Sequence, residues 1–191
     1  MYHITTTHSY FNIKNMKHLI RNILTEETED FRIINSSNEY VSNIFKFLSR
    51  MFPHIPVDVL SEEISNVNHN ISLIAISHNN IVGCLLLSEE SLCEYIETTE
   101  IIRIDTSPNV NDLCDMRPLK GVVFAIHPKF RGTTLNIRLV KMVLSITKNY
   151  DYVYGLVYSF LKTHNYWKRM GMSNYATVID DGEVVEIYLN K

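Results

Sequence analysis

The sequence predicts a single α/β domain, and three observations carry that prediction. The chain has 191 residues, 46% hydrophobic and 20% charged, the balance of a globular protein long enough to bury one substantial core. Apolar runs meet at His78-Asn79-Asn80 and again at Asp180-Asp181-Gly182, turn compositions that favour antiparallel hairpins. Between the hairpins an apolar strand, Val122 to Ile126, runs through a Pro-containing turn into an amphipathic helix. Leu135, Leu139, Met142, Val143 and Ile146 recur there at helical spacing.

Each element follows from local chemistry. Residues 1–29 read as a polar, Thr- and Asn-rich extension around an apolar patch at Met16, Leu19, Ile20, Ile23 and Leu24 that suits a short helix. The domain proper spans residues 30–191. Phe31 to Ile34 read as a strand, and Ser36 with Glu39 makes a capping box for the next helix. Val41, Ile44, Phe45, Leu48, Met51 and Phe52 give that helix a continuous apolar face. Pro53 to Pro56 break the chain, and Val57, Leu60, Ile64 and Val67 mark a second, shorter helix. Ile71 to Ser77 and Ile81 to Leu87 form the first hairpin. Residues 88–118 are an insertion, acidic at first, helical around Leu92, Cys93, Tyr95 and Ile96, then loop-like from Pro108 to Pro118. Connections of that length are more often functional than idle. Tyr152 to Tyr158 read as a strand and Leu161 to Met170 as a helix ending at Gly171. Tyr175 to Ile179 and Val184 to Leu189 close the chain as the second hairpin.

Charge and composition exclude several classes. The net charge is −3, with no dense Lys/Arg stripe, so nucleic acid is not an expected partner. No basic-then-apolar leader and no run of 18 apolar residues occurs, so no membrane association is expected and the chain reads as soluble and cytoplasmic. Cys84, Cys93 and Cys114 show no C-x-x-C pairing, which fits reduced thiols. The eight histidines are scattered without ligand spacing, and no metal is assigned. The sequence leaves the oligomeric state open.

The segment from Ala125 to Asn136 is an architecture for holding phosphates. Pro128 forbids continuation of the strand as a central ladder, and the helix is expected to begin near Thr133. Its first amides lack intrahelical partners and carry the positive end of the peptide dipoles. Arg131 adds a permanent charge.

With Ile126, Pro128, Arg131, Gly132 and Leu135 in their places, this segment resembles the acyl-CoA-binding motif of GNAT-type N-acetyltransferases. Thr134 and Asn136 replace the two small residues of that signature. Tyr166-Trp167-Lys168-Arg169-Met170-Gly171-Met172 is similar to the family's F-Y-x-x-x-G-F segment. The stretch Phe47 to Pro56 looks like the helix and Pro-containing loop of arylalkylamine N-acetyltransferases. The resemblance implies a central mixed, mostly antiparallel sheet flanked by helices, acetyl-CoA as cosubstrate, and transfer of its acetyl group to a primary amine, with a small molecule as the first choice. It leaves open a protein lysine or N-terminus as acceptor. A degenerate, non-catalytic domain serving as a binding or regulatory module also stays open.

The resemblance also implies site residues. Arg131, Gly132, Thr133, Thr134, Leu135 and Asn136 would hold the diphosphate, while the backbone of Phe124, Ala125 and Ile126 would pair with the pantetheine arm like an added strand. A backbone amide at a distortion of that strand would stabilise the developing oxyanion. The family's thiolate-protonating tyrosine falls at Trp167, whose indole donates a hydrogen bond but is no proton source near neutral pH. The adjacent Tyr166 is the candidate acid. Lys120 and Val122 occupy the positions of the subfamily's basic histidines and Ile55 that of its glutamate, which leaves His54 as the candidate base. Glu89, Glu94 and Asp115 of the insertion are candidates for attracting a cationic substrate.

Overall fold

In the computed structural model, residues 31–104, 108–158, 167–168 and 171–190 are described, and they lie within one compact unit, Phe31–Lys191. The expected helix around Met16 to Leu24, most of the helix from Leu161 to Met170, and Tyr166 lie outside the described residues.

The strands are β1 (Arg32–Asn35), β2 (Leu73–Ser77), β3 (Asn80–Ser88), β4 (Glu100–Ile104), β5 (Pro118–Ile126), β6 (Tyr152–Tyr158), β7 (Ser173–Asp180) and β8 (Glu183–Asn190). They form one sheet in the order β1-β2-β3-β5-β6-β8-β7-β4. Among the described strands only β5 and β6 run parallel; the other neighbouring pairs are antiparallel. The helices are α1 (Val41–Met51), α2 (Val57–Ser65), α3 (Leu92–Glu97), α4 (Val110–Cys114) and α5 (Leu135–Ile146).

Both hairpins turn on two residues with positive φ, His78 and Asn79 in the first, Asp181 and Gly182 in the second. That geometry matches the right-handed twist of the strands it joins. Two layers of helices then cover the sheet. Ile44 and Leu48 of α1, with Leu60 and Ile64 of α2, pack on Ile74, Cys84, Leu86 and Ala125 of one face. On the same face Leu92 and Ile96 of α3 and Leu113 of α4 pack on Tyr152, Tyr154 and Ile187. Leu135, Leu139 and Val143 of α5 cover the opposite face at Leu73, Val82, Leu87 and Leu119. Each large aliphatic side chain so buried contributes roughly 1.5–3 kcal/mol.

Several expectations are corrected. The Ser36–Glu39 capping box does not form, because Ser36 is pinned elsewhere: its amide donates to Ser72 O and its hydroxyl meets His69 Nδ1 at 2.9 Å. A 3-10 turn at Asn38–Tyr40 leads into α1 instead. Val57 does not face the core but is 66% exposed, since Leu60 and Ile64 alone orient α2. The supposed loop after Pro108 contains α4, and the insertion contributes β4, an edge strand paired with β7. The helix expected from Thr133 starts at Leu135.

The cysteines are not all reduced thiols. Cys93 and Cys114 form a disulfide with a Cα–Cα distance of 5.2 Å, and Cys84 is free and buried. The spacing hid this pair, because the two residues are 21 positions apart. Burial of Leu92 and Leu113 in one cluster sets α3 against α4 and brings the two sulfurs together.

Candidate active site

The parallel pair is where the sheet opens. β5 and β6 pair from Pro118↔Tyr152 to Gly121↔Gly155 and no further. Beyond that point, among the described residues, β6 pairs only with β8 and β5 only with β3. A bulge accompanies the divergence: Leu86 faces Val123 and Leu87 faces Gly121, so Val122 is the extra residue on β5. Such an insertion bends its strand away from a partner it would otherwise follow. Val122 to Ile126 therefore have no β6 partner in the register.

Glycines floor this opening. A Cβ at Gly155 would lie 2.5 Å from Trp167 Cη2, and one at Gly121 would lie 3.1 Å from the same atom. Strand glycines often mark such close approaches. The Trp167 ring thus lies across the last paired residues, on the face covered by α5, packing also near Val157, Met172 and Tyr188. Gly171, with φ of +83°, ends the turn behind Trp167, and the Met172 amide donates to Trp167 O at 3.2 Å.

The other arm of the opening leads into the basic turn. After Ile126, His127 donates its amide to Val82 O, and a 3-10 turn at Pro128–Phe130 redirects the chain. Arg131 is exposed, and its Nε donates to Ile126 O at 3.2 Å, which fixes the guanidinium beside the end of β5. Gly132 has φ of +91° and open space around the position of a Cβ; only glycine adopts that conformation without strain. The Thr133 hydroxyl donates to Phe130 O at 2.8 Å and accepts from the Leu135 amide at 3.3 Å. Thr134 is helical, with φ −71° and ψ −11°. Asn136 Oδ1 is buried without a hydrogen-bond partner among the described residues. Of the sequence-predicted cofactor residues, Arg131 to Asn136 thus follow the end of β5, Phe124 to Ile126 lie along it, and Trp167 lies at Gly121 and Gly155. His54 stands exposed in the connection between α1 and α2, its ring 6.4 Å from that of Phe52.

On the opposite face the same strands carry charge. Lys120 is buried and its Nζ meets Glu90 Oε2 at 2.6 Å, while Nζ lies 5.9 Å from the Tyr95 ring. The Tyr154 hydroxyl donates to Glu90 O at 3.1 Å, and the Tyr95 hydroxyl donates to Asp180 Oδ2 at 2.8 Å. Burial raises the Glu63 carboxyl above its ordinary range; Lys120 opposes this, and Glu90, Glu62 and Asp180 add to it. Burial likewise pushes the Tyr158 phenol up to about 12, with Asp180 and Glu63 contributing.

The acidic residues that the sequence offers for attracting a cation lie elsewhere. Glu89 is engaged by Asn68 and Tyr150, and Glu94 and Asp115 are exposed. Glu63, Glu90 and Asp180 instead lie near enough for the last two to raise the Glu63 carboxyl. No spacing rule could have grouped positions so far apart, although Gly121 and Gly155 within strands were a readable sign of close approach.

No family model matches the sequence, and no curated protein matches it. Solved structures do match the fold. An agmatine N-acetyltransferase in its apo form has a TM-score of 0.62 at 14% identity, with 85% of this chain and 99% of that one covered. The polyamine N-acetyltransferase of Drosophila melanogaster has a TM-score of 0.61 at 14% identity, covering 84% and 99%. Arabidopsis thaliana Naa50, in complex with the bisubstrate analogue CoA-Ac-MVNAL, has a TM-score of 0.57 at 10% identity, covering 85% and 99%. The fold is that of the GNAT-type N-acetyltransferases, a mixed, mostly antiparallel sheet flanked by helices.

Proposed function

We propose that the chain is an acyl-CoA-dependent N-acyltransferase that moves the acetyl group of acetyl-CoA to a primary amine of a small molecule. The observation that carries this reading is the divergence of β5 and β6 beyond Gly121 and Gly155, with the basic turn and α5 at the end of one arm. Such an opening suits a long cosubstrate with an anionic end and an amide-bearing arm. Bound there, acetyl-CoA supplies an activated thioester.

The chain's own residues have separable tasks in this reading. The amides at the start of α5, the Arg131 guanidinium and the unobstructed Gly132 bind the diphosphate. Thr133, Thr134, Leu135 and Asn136 shape that turn, and the orphaned Asn136 oxygen supplies an acceptor for a donor of the cosubstrate. Phe124, Ala125 and Ile126 present backbone groups along the arm, as an edge strand does to an added strand. The bulge at Val122 re-aims a backbone amide as oxyanion donor. Trp167 packs beside the thioester and keeps water from it. Tyr166 remains the candidate acid and His54 the candidate base. The domain is read as residues 30–191, with 1–29 as an extension.

The test is thiol release from acetyl-CoA across a panel of amines and peptides, with acetylated product identified by mass. The reading expects turnover with small primary amines and loss of most cosubstrate affinity in Arg131→Ala. Turnover only with peptides would favour acetylation of a protein N-terminus or lysine. No turnover, with no acetyl-CoA binding by the parent protein, would sink the transferase.

A further inference from the structure

The face opposite Trp167 holds a group of side chains that the reading above does not use. Glu63 from α2, Glu90 after β3, Lys120 on β5, Tyr154 and Tyr158 on β6, Tyr95 on α3 and Asp180 at the end of β7 converge beside the last paired residues of the parallel strands. Tyr154 and Tyr158 are four residues apart on one strand, so both point to this face, one before and one beyond the divergence. The group adjoins the opening.

Its charges do not balance. Three carboxylates share one ammonium, and that ammonium already lies 2.6 Å from Glu90. Glu63 and Asp180 gain no cation of their own from the described salt bridges, and Asp180 is held in place by the Tyr95 hydroxyl. In a partly buried setting an uncompensated carboxylate is costly, and a cation brought among such groups is strongly favoured. The rings of Tyr95 and Tyr158 add faces of the sign that attracts a cation.

A second observation is independent of charge. Ser88 is 3% exposed, its Oγ is buried without a hydrogen-bond partner among the described residues, and it stands directly across from Lys120 in the β3–β5 ladder. Cross-strand partners project to the same face, so an unpartnered hydroxyl is aimed into this group. A buried polar atom left unpaired costs about 1–3 kcal/mol, and an N–H donor from a ligand would relieve it. Among the described residues, no three carboxylates, histidines or cysteines are grouped to hold a metal ion.

We propose that this face is the acceptor site and that the acceptor carries a second positive charge, as a diamine or a guanidino-amine does, held by Glu63, Glu90 and Asp180 between the tyrosine rings. The inference rests on the transferase reading for the word acceptor, but not for the binding of a cation. A separate cleft of about 240 Å³ against the last turn of α5, lined by Asn35, Asn70, Met142 and Tyr150, lacks such a charge arrangement.

The experiment is calorimetric titration of the parent protein, Glu63→Gln and Asp180→Asn with 1,4-diaminobutane and with 1-aminobutane, followed by thiol-release assays with the same two amines. Both substitutions keep the shape of the side chain, and circular dichroism checks that each variant folds. The inference expects the parent to prefer the diamine by roughly tenfold or more, and each variant to lose most of that preference. Equal affinity for the two amines, or a preference unmoved in both variants, overturns it even if acetyl transfer is observed. A preference lost in the variants without any thiol release supports the cation site and sinks the transferase reading instead.

Discussion

Two neighbouring positions on the same pair of strands are built to opposite ends. At Gly121 and Gly155 both side chains are absent and the Trp167 ring fills the space, with room for little else. One residue earlier, Lys120 and Tyr154 turn to the other face, where the buried ammonium and the phenol engage Glu90, and where Glu63 lies within range of the charges of Lys120, Glu90 and Asp180. A strand alternates its side chains between faces, so one short stretch of parallel ladder serves two purposes. The α5 face is shaped by close packing, and the α2–α3 face by charge. Perturbing the first should act through shape, and perturbing the second through pH and cations.

The largest effect expected is on the packed face. Gly155→Ala places a Cβ against a rigid indole that must shift bodily, and should destabilise the protein by roughly 1–3 kcal/mol in urea unfolding. Gly121→Ala, with its contact at 3.1 Å, needs only a few tenths of an ångström of yielding and should stay within about 1 kcal/mol of the parent. Equal losses at the two sites would mean that Trp167 does not set the floor of the opening.

A smaller effect is expected on the charged face, and its sign follows from Glu63. Its carboxyl is raised in the folded protein, chiefly by burial. Its contribution to stability is therefore fully present below the unfolded carboxyl range and is lost as pH rises through the raised value. Glu63→Gln removes that loss. The unfolding midpoint of the variant relative to the parent should rise between pH 4 and pH 7, and a relative midpoint that falls over this interval would contradict the assigned environment.

The two faces also differed in how far the sequence revealed them. The strand, turn and helix from Val122 to Ile146 were legible because each signal is local: Pro128 stops the strand, Gly132 takes a positive φ, and Leu135, Leu139 and Val143 repeat at helical spacing. The hairpin turns were legible for the same reason. β4 was not, because Glu100 to Ile104 form a largely exposed edge strand without alternation, paired to a partner far along the chain. The Cys93–Cys114 disulfide and the meeting of Glu63, Lys120 and Asp180 depend on which helix packs over which strand. The Ser36–Glu39 signal failed because contacts with Ser72 and His69 outweighed the local cap.

The central claim is that the divergence of β5 and β6 holds acetyl-CoA. Hydrogen–deuterium exchange of the parent protein with and without saturating acetyl-CoA tests it most directly, since a pantetheine arm laid along β5 and a diphosphate at the start of α5 would shield particular amides. Slower exchange confined mainly to Val122–Ile126 and to the turn from Arg131 to Asn136 is the result the account predicts. Protection elsewhere, with these two segments unchanged at saturation, would contradict it.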